Sequence, residues 1–268
     1  MSDNIQINTQ DTNVNPEHAV KPSGPFQWCA ETDIGKVRTE NEDAYFADPE
    51  NALFIVTDGM GGHRGGALAS GIIAEDLPVM IENALDKLKV GSTRTVKALL
   101  KKVIAEQSRQ LYLEGTSESG YKDMGATLAV VLLKNKRCFV ANVGDSRVYR
   151  LRNGRLRQLT RDHSVVSELI EQGYLKPEDA QNHAASGQLT SYIGMEKKTR
   201  SDIHSFAPKK GDRILLCTDG LTDMLDDAQI TDIIKNQTEL QAACKSLISI
   251  ANKAGGHDNV TTLLIDWL

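Results

Sequence analysis

The stretch Thr57-Asp58-Gly59-Met60-Gly61-Gly62-His63 constrains this chain more than any other part of its sequence. It follows Ala52-Leu53-Phe54-Ile55-Val56, an apolar run of strand length and β-branched content, and a carboxylate at the end of such a strand is well placed to hold a metal. The three glycines let the backbone approach a charged ligand closely. A lone Asp-Gly after a strand is simply a turn. Here the pattern recurs. Thr218-Asp219-Gly220 follows Arg213-Ile214-Leu215-Leu216-Cys217, Gly144-Asp145 follows Cys138-Phe139-Val140-Ala141-Asn142-Val143, and Asp258 precedes the apolar run from Val260 to Ile265. Four acidic residues at the margins of four strand-like runs suggest one site assembled from strand ends.

Length and charge narrow what that site can serve. The 268 residues suffice for a sizeable core, and a sheet-rich chain of this size often forms one domain. A net charge of -5 argues against a general nucleic-acid or anionic-membrane binder, although local basic patches are compatible with it. The cysteines, Cys29, Cys138, Cys217 and Cys244, are scattered and mostly embedded in apolar runs, without the paired spacing of a zinc site, and read as reduced core residues. The N-terminus lacks a basic-then-apolar leader pattern and the apolar runs fall short of a membrane span, so a cytoplasmic location is the expectation.

Residues 1–25 are rich in Asn, Asp, Gln and Thr and are expected to form a mobile tail. The fold should begin with a strand at Phe26-Gln27-Trp28-Cys29-Ala30 and run to residue 268. The charged segment Asp33 to Asp43 lies between strands, and loops of this kind commonly carry function. After His63, Leu68, Ile72, Leu77, Met80, Ala84 and Leu88 recur at roughly helical spacing, with Pro78 expected to kink or interrupt the helix. Val96, Leu99, Leu100, Val103, Ile104 and Leu111 mark a second helix from about Thr93 to Leu113. Strands follow at Thr127 to Leu133, Arg137 to Val143, Ser146 to Leu151 and Leu156 to Leu159, read together as an antiparallel meander with Asn153-Gly154 as a tight turn. The polar segment from about 164 to 204, with one short amphipathic piece at Val165 to Ile170, reads as an excursion over a site. Helices at Asp227 to Ile234 and Leu240 to Ala254 and a strand at Asn259 to Trp267 complete the chain.

Seven motifs then stand in order: Val37-Arg38 through Glu42-Asp43, Asp58 to His63, Met124-Gly125-Ala126-Thr127, Val143-Gly144-Asp145-Ser146-Arg147, Asp162-His163-Ser164, Thr218-Asp219-Gly220 and Gly256-His257-Asp258-Asn259-Val260. Singly each is weak; as an ordered set, from about Phe26 to the C-terminus, they closely resemble the bacterial PP2C-type (PPM) metal-dependent serine/threonine protein phosphatases. The resemblance implies an α+β fold, a four-layer α-β-β-α sandwich of two antiparallel sheets flanked by helices, with a metal centre at one end. It implies Mn²⁺ or Mg²⁺, two tightly bound ions with room for a third, weaker one, since both metals favour carboxylate and water oxygens. Two such ions about 4 Å apart can share a water, lower its pKa and hold the hydroxide in line with phosphorus. By the same resemblance Asp58 bridges the ions, the Gly59 carbonyl joins one, Asp219 and Asp258 belong to the other, and Glu42 and Asp43 act through bound waters. Asp145 corresponds to a ligand of the weaker ion, with bracing of the Asp219 loop as the alternative.

Arg38 is the expected phosphate receptor, because a guanidinium donates two parallel bonds to two phosphate oxygens. His63 is the expected general acid for the leaving alkoxide. In Leu189-Thr190-Ser191-Tyr192-Ile193-Gly194, bacterial relatives commonly carry Arg or Gln where this chain has Ser191, and Ser191 and Tyr192 are the expected flap contacts. The implied partners are phosphorylated proteins, including a cognate Ser/Thr kinase or its substrates, met by a monomer, with neither nucleic acid nor membrane. A haloacid-dehalogenase-type enzyme would need a second acid two positions after Asp58, where Met60 stands. A silent binding module on the same fold is opposed by retention of every expected carboxylate, and a two-metal nuclease by the acidic balance.

Overall fold

The run Leu53 to Val56 has no polar face because both of its faces are buried. The computed structural model describes residues 6–7, 26–61, 65–88, 91–117, 121 and 123–268. In chain order the elements are β1 (Gln6–Ile7), β2 (Phe26–Asp33), β3 (Asp43–Asp48), β4 (Leu53–Met60), α1 (Gly65–Asp86), α2 (Thr93–Ser117), β5 (Gly125–Ala126), β6 (Leu128–Lys134), β7 (Arg137–Val143), β8 (Arg147–Arg152), β9 (Arg155–Gln158), α3 (Val165–Glu171), β10 (Asp202–Phe206), β11 (Arg213–Cys217), α4 (Asp219–Thr222), α5 (Asp227–Asn236), α6 (Leu240–Ala254) and β12 (Val260–Trp267). One sheet runs β1-β3-β4-β6-β7-β10, with β5 also paired to β4; the other runs β2-β12-β11-β8-β9. Every pairing is antiparallel.

Side-chain alternation along the strands feeds three cores and so produces four layers. Phe54 and Val56 of β4 meet Ile214, Leu216, Leu263 and Ile265 between the sheets. Leu53 and Ile55 point the other way, into a core under α1 and α2. Leu215, Cys217 and Leu264 pack under α5 and α6. Strands covered on both faces need apolar residues at both parities, which is why these runs do not alternate. Helix ends carry local signals: Asp226 Oδ1 caps α5 by accepting from the Gln229 backbone nitrogen at 2.8 Å, and Asp226 N donates to Gln229 Oε1 at 3.0 Å. All four cysteines are free and buried, as the sequence predicts.

Several expectations need correction. The strands from Leu128 to Gln158 are two hairpins, one in each sheet, rather than a single meander. After β7 the chain leaves the first sheet at Gly144, which has φ +90°, while β8 pairs with β11 in the second. A Cβ on Gly144 would lie 2.8 Å from Thr127 Cβ, so this crossing requires glycine. Helix α1 runs unbroken through Pro78, which is buried within it; packing compensates for the hydrogen bond that proline cannot donate. Its fully buried seam is Ala69, Ile73, Leu77 and Ile81, while Leu68, Ile72, Met80 and Ala84 are only partly buried beside it. The expected mobile tail lies outside the described residues except for Gln6 and Ile7, which pair with Ala47 and Phe46 on the edge of the first sheet.

The expected excursion over the site also divides. Its first part holds α3, a short 3-10 turn at Pro177–Asp179 and a mostly exposed stretch to residue 188. Its second part is sewn into the fold: Ile193 is fully buried and exchanges backbone hydrogen bonds with Ala126, and β10 joins β7.

Candidate active site

Sheet register gathers the predicted acids at one end of the sandwich. Asp43 on β3 lies directly opposite Asp58 on β4. The Asp58 amide donates to Thr127 Oγ1 at 3.0 Å, and Thr127 N returns a bond to the Asp58 carbonyl at 2.8 Å, so the end of β4 is fixed by the residue before β6. Asp145 stands at the crossing between the sheets, one residue after Gly144. Asp219 opens α4, and Gly220 lies so close to the second sheet that a Cβ there would meet the Asn259 carbonyl at 2.0 Å. Asp258 immediately precedes Asn259 and β12. Gly59 is equally tight, since a Cβ there would sit 2.0 Å from the Gly66 carbonyl.

Asn259 ties the Arg38 loop to this end. Its Oδ1 accepts from Glu42 N at 2.8 Å, and its Nδ2 donates to the carbonyls of Ile34 and Glu40 at 2.9 and 3.0 Å. Arg38 Nη2 then donates to Asp258 Oδ2 at 2.6 Å, with Nη1 3.7 Å from Glu42 Oε2. The Arg38 side chain is 45% exposed, and only Nη2 of its guanidinium donates a hydrogen bond, to Asp258, among the described residues. Partial burial opposes its charge, but the hydrogen bond to Asp258 holds Arg38 firmly protonated.

The acids are crowded and short of counter-charge. Burial and then the charges of Asp219, Asp43 and Asp145 push the Asp58 carboxyl well above its ordinary range. Burial does the same to Asp145, reinforced by Asp219, Asp162 and Asp223. Asp43 is pushed up to about 7 by burial, against the hydrogen bonds its Oδ2 accepts from Thr261 Oγ1 at 2.7 Å and Thr218 Oγ1 at 2.9 Å. Asp219 is also pushed up to about 7, by burial and then by Asp223 and Asp258. The nearby guanidinium of Arg147 is already engaged by both oxygens of Asp162 and by the Tyr149 hydroxyl.

Two observations test whether a divalent cation suits these residues. Oδ1 of Asp43 and Oδ1 of Asp219 are buried with no hydrogen-bond partner among the described residues, and a buried carboxylate oxygen left unpaired is costly unless something neutralises it. Among the described residues the positive charge nearby does not offset the mutual repulsion of the group. Hard oxygen donors fit Mg²⁺ or Mn²⁺. Among the described residues no three His, Cys, Asp or Glu side chains converge on one point as a closed ligand set. An ion here must therefore complete its shell with backbone oxygens and water, as these metals commonly do.

The remaining predicted residues fare differently. His63 lies outside the described residues, as do its neighbours Gly62 and Arg64. Ser191 is 1% exposed and its hydroxyl is spent on Arg200, accepting from the backbone nitrogen at 2.9 Å and donating to the carbonyl at 3.0 Å. It closes a loop internally rather than facing outward as a flap contact. The Tyr192 ring lies over Gly125, where a Cβ would meet its Cδ2 at 2.6 Å. Sequence reasoning assigned no role to Asn259, Thr218, Thr261 or Asp223. A signal existed for Asp223, which follows Asp219 by four residues and shares its helical face; the others act through contacts to distant segments.

The fold and site can be set against known proteins. The model of the family described as protein phosphatase 2C matches residues 36–264. The serine/threonine phosphatase stp of Listeria welshimeri is 38% identical over 238 residues, 88% of this chain and 93% of that protein. The structure of the Streptococcus agalactiae serine/threonine phosphatase superposes with a TM-score of 0.79 at 30% identity, covering 91% of this chain and all (100%) of that one. The catalytic domain of the serine/threonine protein phosphatase PstP, solved in complex with two manganese ions, superposes with a TM-score of 0.72 at 30% identity, covering 90% of this chain and 97% of that domain. Sequence and sandwich agree: the chain belongs to the protein phosphatase 2C family of phosphoprotein phosphatases.

Proposed function

We propose that this chain is a metal-dependent phosphatase that hydrolyses phosphoserine and phosphothreonine in proteins by direct attack on phosphorus, without a phosphoenzyme. The observation that carries the reading is the set of buried Asp43 and partly buried Asp58, Asp145 and Asp219, crowded among the described residues without sufficient counter-charge and beside the half-exposed Arg38. In this reading Asp58, the Gly59 carbonyl, Asp219 and Asp258 would hold the tightly bound ions, and Asp145 would hold a weaker one. Bound there, Mn²⁺ or Mg²⁺ supplies a hydroxide nucleophile at neutral pH and positive charge against the phosphoryl oxygens.

The chain's own residues do the rest. Thr218 and Thr261 fix Asp43 Oδ2, which leaves Oδ1 to accept from water, and Glu42 does the same from the Arg38 loop. Arg38 keeps one nitrogen on Asp258 and offers the remaining N–H groups to phosphate oxygens, which positions the ester. His63 gives a proton to the departing serine or threonine oxygen. Residues 26–268 act as one catalytic domain, with 1–25 as a tail and the exposed stretch of 172–188 as the flap. The chain works as a cytoplasmic monomer on the phosphoproteins of a bacterial Ser/Thr kinase. Within the described residues no helix is long and apolar enough to cross a membrane.

Metal removal tests the core of this reading. Protein stripped with chelator, with removal verified, should be silent on a phosphothreonine peptide and recover with Mn²⁺ or Mg²⁺. Full turnover without divalent metal would overturn it, and phosphate trapped covalently on Asp58 would favour an aspartyl-phosphate enzyme.

A further inference from the structure

Bordered by Lys36 of the loop that carries Arg38, β2 and α6 leave an open groove of about 450 Å³. Its walls include Glu31, Asp33, Lys36, Lys245, Asn252 and Lys253. Its acids are already engaged. Asp33 Oδ1 accepts from Gly35 N and from Asn252 Nδ2, each at 2.9 Å. Glu31 accepts from Gln241 and lies 4.0 Å from Lys245. Lys36 and Lys253, by contrast, form no ion pair with any described residue. The groove therefore presents two uncommitted cations within a chain whose net charge is negative.

The loop between this groove and the carboxylate end is held firmly. Lys36 N donates to the Gly256 carbonyl at 2.7 Å, Asn259 Nδ2 holds the Ile34 carbonyl at 2.9 Å, and a Cβ on Gly35 would lie 2.3 Å from the Asp258 carbonyl. Lys36 thus sits at a fixed offset from Arg38. The same loop exposes apolar side chains, with Ile34 38% and Val37 62% accessible. Lys36 on the groove, exposed Ile34 and Val37, and Arg38 two residues beyond Lys36 thus belong to one loop, which suits it to an extended peptide. Allowing for backbone and side-chain reach, Lys36 and Arg38 meet positions roughly two to five peptide residues apart.

We infer that this groove is a second contact for the substrate chain: with its phosphate at Arg38, a phosphopeptide crosses Val37 and places an Asp or Glu side chain between Lys36 and Lys253. The inference rests on the phosphatase reading above and adds the substrate class, phosphoproteins with an acidic residue a few positions from the phosphorylated one. Exposed ion pairs of this kind are individually weak, so the expected preference is about three- to tenfold in kcat/KM.

The experiment uses the full chain with Mn²⁺ and a series of phosphothreonine peptides in which one flanking position at a time carries Glu, Ala or Lys. The wild type should favour Glu at one or two positions within five residues of the phosphate. Raising salt from about 0.05 to 0.5 M should shrink the preference. Lys36→Glu combined with Lys253→Glu should invert it toward Lys, and Lys253→Gln alone should weaken it. Lys210→Glu, a single charge reversal of the same kind in the turn before β11, should preserve the wild-type ratio. Equal kcat/KM for Glu and Ala peptides, or a preference untouched by changes at Lys36 and Lys253, would overturn the inference. A small aryl phosphate separates the two claims. Hydrolysis of it and of the Ala peptides without flank preference defeats the groove alone, whereas no metal-dependent hydrolysis at all defeats both.

Discussion

The two ends of the second sheet carry the same residue type in opposite electrostatic states. At the far end Asp212 accepts from Arg152 Nε and Nη2, both at 2.5 Å, and from Lys209 N at 2.9 Å. Asp266 is gripped by Arg213 Nε and Nη2 at 2.5 and 2.6 Å. Burial works against the charge of Asp212, yet Arg152 and Lys209 N hold its carboxyl below the usual carboxylate range. Strand β11, Arg213 to Cys217, separates this end from the other, a distance of about 13 Å at the usual strand rise. There Asp219 and Asp43 have pKa values driven upward, threonine hydroxyls hold Asp43, and the nearby arginines are bonded to other acids, Arg147 to Asp162 and Arg38 to Asp258. The lesson is that carboxylates supporting stability bring their own cations, while those assembled for chemistry leave that place for a cation from outside.

The largest expected effect breaks the comparison at its active end. Asp58→Asn or Asp219→Asn should lower kcat/KM on the order of a thousandfold, the scale of losing a principal electrostatic element of a transition state. The same changes should raise or leave unchanged the melting temperature measured in chelator, because repulsion is relieved. Asp212→Asn should do the converse, with kcat/KM within about twofold of wild type and about 2 kcal/mol lost through weakened charged hydrogen bonds. For a domain of this size that loss is roughly 4 to 8 °C in melting temperature. A thousandfold activity loss from Asp212→Asn would erase the distinction between the ends.

Arg38→Ala comes next, with a loss of about 10- to 100-fold in kcat/KM carried mainly by KM, since its proposed work is capture of phosphate rather than proton transfer. A pure kcat effect would instead make Arg38 a partner of Asp258 in shaping the site. Asp145→Ala should be milder, shifting the metal concentration needed for half-maximal turnover severalfold while tight binding measured by calorimetry persists. Loss of the tight sites would place Asp145 among the principal ligands.

The smallest effect sharpens the contrast through pH. For Asp43 and Asp219 the folded pKa, about 7, lies above the unfolded value of about 3.9, so their contribution to stability is complete below about 4 and is lost as pH rises through 7. For Asp212 the folded value is depressed, so its contribution is present above about 4 and is lost as pH falls through the folded pKa. In chelator the melting temperature should decline from pH 5 to 8, and Mn²⁺ should flatten that decline. Asp212→Asn should alter only the acid limb. A chelated protein equally stable at pH 5 and 8 would mean that the crowded acids are compensated within the chain.

Much of this contrast is legible in the amino-acid sequence. Asp58, Asp145, Asp219 and Asp258 stand out at strand margins, because strand length, apolar runs and glycine turns are local signals. The ion pairs of Asp212 and Asp266 give no such signal, since Arg152 lies 60 residues from Asp212 and Arg213 lies 53 from Asp266. Distance along the chain also explains why residues 164 to 204 depart from expectation. Low apolar density there suggests one flap, but Ile193 and Ser191 anchor its second part through Ala126 and Arg200.

By itself the sequence determined most of the elements, the family and the list of acids, because periodicity and ordered motifs depend on neighbours along the chain. Only the tertiary structure decided that β7 and β8 belong to different sheets, that Asp43 is held by Thr218 and Thr261, that Arg38 rests on Asp258 across 220 residues, and that Lys36 and Lys253 share a groove. Those are contacts between segments far apart in sequence, fixed by sheet register and close packing on both faces, and no local pattern carries that information.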